Sequence, residues 1–463
     1  LNDDVGPVVP HDRAPEGGSL SHALRGRHVA MIAIGGTIGS GLFVGASSAL
    51  ALAGPGALID YAVGGLIVLF ICRMLAEMAM ASPGTGSFVA HIRRGLGDGA
   101  GFVAGWLYWI MWVCVVSVEA LACANLIGPS LPIPYLALEI LVMGFVTGIN
   151  LFSVRGYGEF EYWLSLLKVG TIVAFIGACI AGLLGLTPYG VAVSHVMDVN
   201  LHPVPRGAMA IVAAVPLVLF AIGGTEASTI AAVESDDPAG NVLRATRSVA
   251  LRIAAFYVIS VGLILAIVPW TDVHPGVSPF LTALNRLGIP GAEVLMGGVI
   301  LIGCFSALNS GLYITSRMMF ELAEMRGAPR FFVRLSANGT PRHAIVTATA
   351  LAFVVALGGI LSPAAAFNFL LGSTGTFVLF DYVLIVLAHM RLRFQAQRRG
   401  ERLAAPMWCF PLLSVVTLFF LGLVFVVMLG DPETRTQMIA GTVTMLMVVL
   451  VERLTRRRRA LAT

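Results

Sequence analysis

Three ionisable side chains stand where the chain is otherwise apolar, and each is chemically able to hold or move a charge. Lys168 falls in "EYWLSLLKVGTI", Glu119 in "WVCVVSVEALACAN", and Glu226 directly follows the glycines of "FAIGGTEAS". Of the 29 basic residues, Lys168 is the only lysine. Ionisable groups at membrane depth are costly, and where they occur they mark paths for protons, ions or substrates. Desolvation disfavours the charged form of a buried amine, which suits Lys168 to carrying a proton. The competing expectation is that its flexible stem snorkels to an interface. Glu119 either pairs with another helix or supplies the counter-charge for an ammonium group, and the second reading is adopted. Glu77, four residues after Arg73, is expected to form an ion pair within its own helix. Glu159 and Glu161, near Arg155, are read as part of a cytoplasmic loop, and Asp381 has no assigned role.

Glycine crowds the same neighbourhoods. "IAIGGTIGSGLF", residues 32–43, carries Gly35, Gly36, Gly39 and Gly41, and "AIGGT" returns at Ala221 to Thr225. Each glycine costs ~1 kcal/mol relative to alanine in a helix interior, so four together favour unwinding. Unwound backbone at membrane depth persists only where protein or a wet cavity satisfies its polar groups. The N-terminal end of a broken helix suits a carboxylate, and the C-terminal end offers carbonyls to an ammonium. One interrupted helix can therefore hold both poles of an amino acid. The Gly35–Gly39 and Gly41–Gly45 spacings equally permit close helix packing, and pattern alone leaves both readings open.

The elements that must position these residues follow from composition. The chain has 463 residues, 57% of them hydrophobic and 12% charged, with a mean hydropathy of +0.89. Soluble domains average about 25% charged residues. Runs of about 20 apolar residues, enough to cross ~30 Å of hydrocarbon, recur along nearly the whole length. The fold class is an all-α polytopic membrane protein. A β-barrel would need alternating ten-residue segments, which are absent.

Twelve spans are expected, at about 28–50, 57–80, 101–127, 134–152, 161–186, 208–233, 249–270, 291–320, 343–361, 365–390, 408–429 and 436–454. Turn chemistry separates them: "AGPG" at 53–56, "SPGTG" at 82–86, "PIP" at 132–134 and "SDDPAG" at 235–240. The connections at about 187–207 and 271–290 are long enough for short interfacial helices. Residues 1–27 are polar, lack the apolar core of a signal peptide, and are read as a disordered cytoplasmic tail. A second basic tail is expected over 455–463. Loop arginines are few on one side (Arg206, Arg286, Arg435) and many on the other, so both termini are read as cytoplasmic. The two copies of "AIGGT" lie five spans apart, an odd offset that enters the membrane from opposite sides, as in inverted-repeat transporters.

The texts "LRGRHVAMIAIGGTIGSGLFVG", "RMLAEMA", "AGFVAGWLYW", "GEFEYWLSLLKV", "GGTEASTIAAVESDDP" and "ALNSGLYITSRMMFELAEMRGAP" resemble the amino acid–polyamine–organocation superfamily. The similarity covers about residues 20–455 and points to its bacterial amino-acid permease branch. "VSVEALA" and "PAAAFNFLLGSTG" look most like the γ-aminobutyrate permeases. The resemblance implies a leucine-transporter-like fold: repeats over about 28–186 and 208–390, then two accessory helices with a preceding basic loop over 391–454. It further implies a substrate site at Thr37, Gly39, Ser40, Gly41, Glu119, Phe220, Ala221, Gly223 and Glu226. Within it, Ser40 and Gly41 would take the carboxylate, the carbonyls of Thr37, Phe220 and Gly223 the amine, and Phe220 would be a lid. Lys168, in place of a sodium ion, and Glu226 would couple transport to protons. The glycines and "TEAS" leave room in the pocket for a side chain larger than γ-aminobutyrate requires.

The expected function is proton-coupled uptake of a small zwitterionic amino acid, γ-aminobutyrate-like, through the cytoplasmic (inner) membrane by alternating access. Its partners are the amino acid, protons and the bilayer, with no nucleic acid, no cofactor and no metal. Alternatives are an amino-acid exchanger, or a permease for proline, an aromatic, a basic or a D-amino acid; a nutrient sensor or channel lacks the appended domain or selectivity rings. The six cysteines include no CxxC and the nine histidines show no metal spacing. No HExxH or GxSxG is present, so catalysis is not expected.

Overall fold

The computed structural model describes residues 31, 38–83, 85–128, 131–152, 154–186, 200, 202, 204–224, 226–227, 230, 237–336, 338–360 and 363–461. The expected N-terminal tail, Thr37, and most of the 187–207 connection lie outside the described residues. Among those described, all regular structure is helical. Eight helical segments are long and apolar enough to cross a membrane, and three shorter apolar helices accompany them. Each of the twelve expected stretches carries helix.

The chain opens on a π turn, Gly41–Gly45, that runs into α1 (Ala46–Ala53). Then follow α2 (Ala57–Ala81), α3 (Phe88–Leu96), α4 (Asp98–Ile127), α5 (Tyr135–Phe152) and α6 (Val154–Leu183). The second half begins with α7 (Ala208–Ile222) and α8 (Pro238–Arg252), which passes through a π turn at Ile253–Ile259 into α9 (Ser260–Ile267). It continues with α10 (Pro279–Arg286), α11 (Ala292–Glu324), α12 (Arg342–Ala356), α13 (Pro363–Arg398), α14 (Leu412–Gly430) and α15 (Pro432–Leu461).

Local chemistry sets several of these boundaries. Ser87 starts α3 by accepting a hydrogen bond from the Val89 N–H at 3.2 Å. Asp237 does the same for α8, accepting from the Gly240 N–H at 3.0 Å with Pro238 at the first helical position. The "DPAG" part of "SDDPAG" thus opens a helix. α10 is a short helix within one of the two long connections, capped by Ser278. α3 was not expected; its amphipathic "FVAHIRRGL" buries Phe88, Val89 and Ile92 and is too short and polar to register as a span. The terminal arginines assigned to a tail are helical, because α15 runs on to Leu461.

The interior is built around α4 and α11, which pack on one another, with α13 against the other side of α4. α2 packs on α7 and α8. Outward faces carry exposed apolar side chains such as Trp163, Val173, Phe419 and Leu450, the surface expected where hydrocarbon is the solvent. α13 and α7 meet at Gly375, where an added Cβ would come within 2.2 Å of the Pro216 carbonyl oxygen.

That contact is backbone to backbone and cannot be relieved by a side-chain rotation. Gly375→Ala is therefore expected to destabilise the protein by about 1–3 kcal/mol through overpacking. A lowered melting temperature of the detergent-solubilised variant checks this, and an unchanged one would refute the packing.

Candidate functional site

Two helix interruptions face each other. α7 ends at Ile222; Gly223 is extended and Gly224 takes φ +87°, a conformation that glycine adopts without strain. The Gly223 N–H still reaches the Leu219 carbonyl at 2.7 Å, closing the last turn. On the other strand of the site, Ile38 and Gly39 are non-helical and helix begins at Ser40. A Cβ on Gly41 would lie 2.8 Å from the Phe220 ring and 3.0 Å from the Ala221 Cα. The residue Gly41, just past the first copy of the repeated string, thus lies against the start of the second copy at Ala221, while residues 33–37 themselves lie outside the described residues. The Gly41–Gly45 spacing also serves packing, since a Cβ at Gly45 would press Leu371 of α13 at 3.0 Å. Both readings of the glycines hold at once.

The first interruption is held by two buried side chains of opposite charge. The Ser40 N–H donates to both Glu119 carboxylate oxygens at 3.1 Å. Two residues back, the Ile38 carbonyl accepts from Lys168 Nζ at 3.0 Å. Gly39 lies between, and a Cβ there would fall 2.5 Å from Glu119 Oε1 and 2.7 Å from the Ala307 Cβ. The N–H that sequence reasoning gave to a substrate carboxylate is thus engaged by the protein's own Glu119.

Lys168 is completely buried and does not snorkel. Its ammonium also donates to Ser306 Oγ at 2.6 Å and lies 3.8 Å from Glu161 Oε1. Ser306 Oγ in turn donates to Glu161, which also accepts from Ser165 Oγ at 3.2 Å. Glu161 is therefore no loop residue: it is buried on α6 as part of the amine's polar cage. Its proximity to Arg155 in sequence suggested a loop, whereas its helical position seven residues before Lys168 puts it two turns away on the same face.

Glu226 follows the second interruption. It is buried, accepts from the Gly224 N–H at 3.1 Å, and receives a longer contact from Tyr382 Oη at 3.5 Å. Tyr257 Oη donates to the Ala221 carbonyl at 2.8 Å, fixing the end of α7. Asp381 on α13 is buried with neither carboxylate oxygen hydrogen-bonded among the described residues. Glu77 does not pair with Arg73. It contacts Arg393 Nη1 at 3.0 Å and His389 Nε2 at 3.3 Å on α13, while Arg73 donates to the Pro406 carbonyl at 3.0 Å. Asn309 and Ser310 on α11 bond between helices, to Asn150 Nδ2 at 2.8 Å and Tyr157 Oη at 3.2 Å.

Between the interruptions lies a cavity of about 40 Å³. Gly39, Gly41, Glu119, Phe220 and Gly223 line it, all expected from sequence; Ser40, Ala221, Glu226 and Lys168 stand behind its wall. Met111, Trp112 and Val115 of α4, Ala307 of α11, and Thr374 and Val378 of α13 complete it, with Gly224. Apart from Thr374 and Gly224 these are apolar residues indistinguishable in sequence from core. The cavity holds about three waters at ~10–15 Å³ each, so an amino acid enters only if a wall moves. The cavity is narrower than the glycines suggested, with the large rings of Phe220 and Trp112 among its lining.

Interrupted helices around a central cavity are the build of a membrane transporter. Residues 28–459 match the family model described as amino acid permease. A probable GABA permease of Pseudomonas aeruginosa is 39% identical over 445 residues, covering 95% of this chain and 94% of that protein. The gamma-aminobutyric acid permease of Bacillus subtilis is 38% identical over 449 residues, with coverage of 95% and 94%. The aromatic amino acid transport protein AroP of Corynebacterium glutamicum is 36% identical over 423 residues, with coverage of 90% and 91%. The chain belongs to the amino acid permease family and is a multi-pass membrane transporter of amino acids.

Removing one member of a buried ion pair strands the other. Lys168→Met is expected to destabilise the protein by about 3–5 kcal/mol, and adding Glu161→Gln should recover most of that loss. Thermal melting of the single and double variants in detergent decides it. A single variant as stable as the parent would show that the pair contributes nothing.

Proposed function

We propose that the protein is a proton-coupled importer of a small zwitterionic amino acid, γ-aminobutyrate-like, working by alternating access in the cytoplasmic membrane. The observation that carries this is the grip on Ile38–Ser40: a buried amine on the carbonyl side and a buried carboxylate on the N–H side, next to the cavity. Amine and cavity are thereby linked through a few atoms of backbone. Losing a proton from Lys168 weakens its hold on Ile38 and leaves Glu161 without its counter-charge, so protonation and the shape of the interruption are coupled.

Glu119 is the only ionisable side chain among the described residues lining the cavity. In the proposed loading step the substrate carboxylate takes the N–H groups at Ser40 and Gly41, and Glu119 turns to the ammonium. Glu226 then holds the second interruption through Gly224 while α7 moves. The small cavity walled by Trp112, Met111 and Phe220 favours a slender substrate over an aromatic one. The relatives named for γ-aminobutyrate agree with this choice.

The wider arrangement we propose is twelve spans: two inverted five-helix repeats over about 28–186 and 208–390, then two accessory helices. The close approach of Gly41, just past the first "AIGGT", to Ala221, which opens the second, supports a repeat axis passing between them. The arginine bias supports cytoplasmic termini.

Purified protein in liposomes tests the proposal. Uptake of labelled γ-aminobutyrate should rise several-fold when an inward proton gradient is imposed, and indifference to the gradient would reject coupling in favour of exchange. Glu119→Gln should raise KM roughly ten- to hundredfold, the equivalent of a charged hydrogen bond of about 1.5–3 kcal/mol. Saturation by phenylalanine but not γ-aminobutyrate would overturn the substrate assignment.

A further inference from the structure

Away from the central cavity, α4, α13 and α15 enclose a groove of about 710 Å³ that opens on the outer surface. Its walls are half-buried and apolar over most of their extent: Val103, Phe380, Val383, Leu384, Met445 and Val449. Gly99 and Ala100 make its floor shallow on the α4 side. One end is different. Arg453, Arg456 and Arg457 gather there against a single carboxylate, Glu452.

The pattern on α15 is directional. Met445, Val449, Arg453 and Arg457 recur every four residues, so they form one stripe along the helix that changes from apolar to basic. From Met445 to Arg457 that stripe rises about 18 Å at ~1.5 Å per residue. One leaflet of a ~30 Å hydrocarbon core is about 15 Å deep. The stripe turns basic at Arg453, about 12 Å from Met445 at ~1.5 Å per residue, so its apolar part lies within the depth of one leaflet and the arginines fall at headgroup level. A peptide or soluble metabolite would have no reason to meet the apolar part, which faces hydrocarbon. A zwitterionic lipid would leave the three guanidinium groups without a net opposite charge.

We propose that this groove is a binding site for an anionic phospholipid, with the acyl chain between α13 and α15 and the phosphate on Arg453, Arg456 and Arg457. The groove shares two helices with the transport cavity. α13 gives Thr374 and Val378 to the cavity and Phe380, Val383 and Leu384 to the groove, and α4 gives Glu119 to the first and Val103 to the second. A lipid held here braces two of the helices that wall the substrate site.

The test is retention of lipid by the full-length purified protein in detergent, read by native mass spectrometry and by melting temperature. Phosphatidylglycerol should stay bound and raise the melting temperature, and phosphatidylcholine at equal concentration should not. The combined R453Q, R456Q and R457Q variant should lose the preference, with a drop of roughly tenfold or more in apparent affinity for phosphatidylglycerol. L384W with V449W should lose binding while keeping every arginine, because the acyl slot is filled. Should the triple variant aggregate on size exclusion, R457Q alone should still show a partial loss. Equal retention of both lipids, or undiminished phosphatidylglycerol binding in the charge variants or the tryptophan variant, would overturn the proposal.

Discussion

The structure depends on how the non-helical backbone at Ile38 and Gly39, just before a new helix begins at Ser40, is held in place. At Ile38–Ser40 the backbone has an unpaired carbonyl on one side and the exposed N–H groups of a new helix on the other. In hydrocarbon each such group costs several kcal/mol if left alone. Lys168 answers the first at 3.0 Å and Glu119 the second at 3.1 Å. A positive and a negative side chain, on α6 and α4, thus stabilise one another's partner without meeting directly. The second interruption is treated differently: a tyrosine, Tyr257, takes the Ala221 carbonyl, and Glu226 takes the Gly224 N–H. The first gap is held by a carboxylate and an amine, the second by a carboxylate and a phenol.

This asymmetry accounts for the burial of polar groups that would otherwise be difficult to justify. Glu161, Ser165 and Ser306 touch no part of the cavity, yet all are fully buried. They form the cage that makes an ammonium tolerable at that depth. Tyr157 and Tyr313 stack beside them at 4.2 Å, with Arg317 over the Tyr313 ring at 4.1 Å, so the α6–α11 contact is rigid where the cage needs it. Rigid support around a deliberately weak backbone segment is what lets that segment differ from the helices around it.

Much of the helix layout was legible because crossing hydrocarbon requires twenty apolar residues, and nothing subtler is needed to see them. Gly39, Gly41 and Gly223 were legible because glycine in a span is expensive and therefore conspicuous. Glu161 and Glu77 were misread for a shared reason: charges were paired with their neighbours in sequence. Glu77 finds His389 and Arg393, over three hundred residues on, and no periodicity within α2 points to α13. Trp112, Met111 and Val378 could not have been chosen either, since a cavity wall and a packed core use the same side chains. The two π turns left no trace in composition, because a π turn is a response to tertiary strain rather than a propensity.

The first of those π turns has a mechanical consequence for everything that follows it. Gly41–Gly45 holds one residue more per coil than a regular α turn. Were it to tighten, α1 would swivel by about 100°, one residue's share of a 3.6-residue turn, without breaking any of its own hydrogen bonds. Ser47 Oγ, which accepts from the Gly276 N–H at 3.0 Å, and Ser48 Oγ, which donates to Asn368 at 3.0 Å, would both be carried off their partners. The winding of this five-residue coil beside the cavity would thus set, like the angle of a camshaft, whether the loop around Gly276 and the start of α13 meet α1.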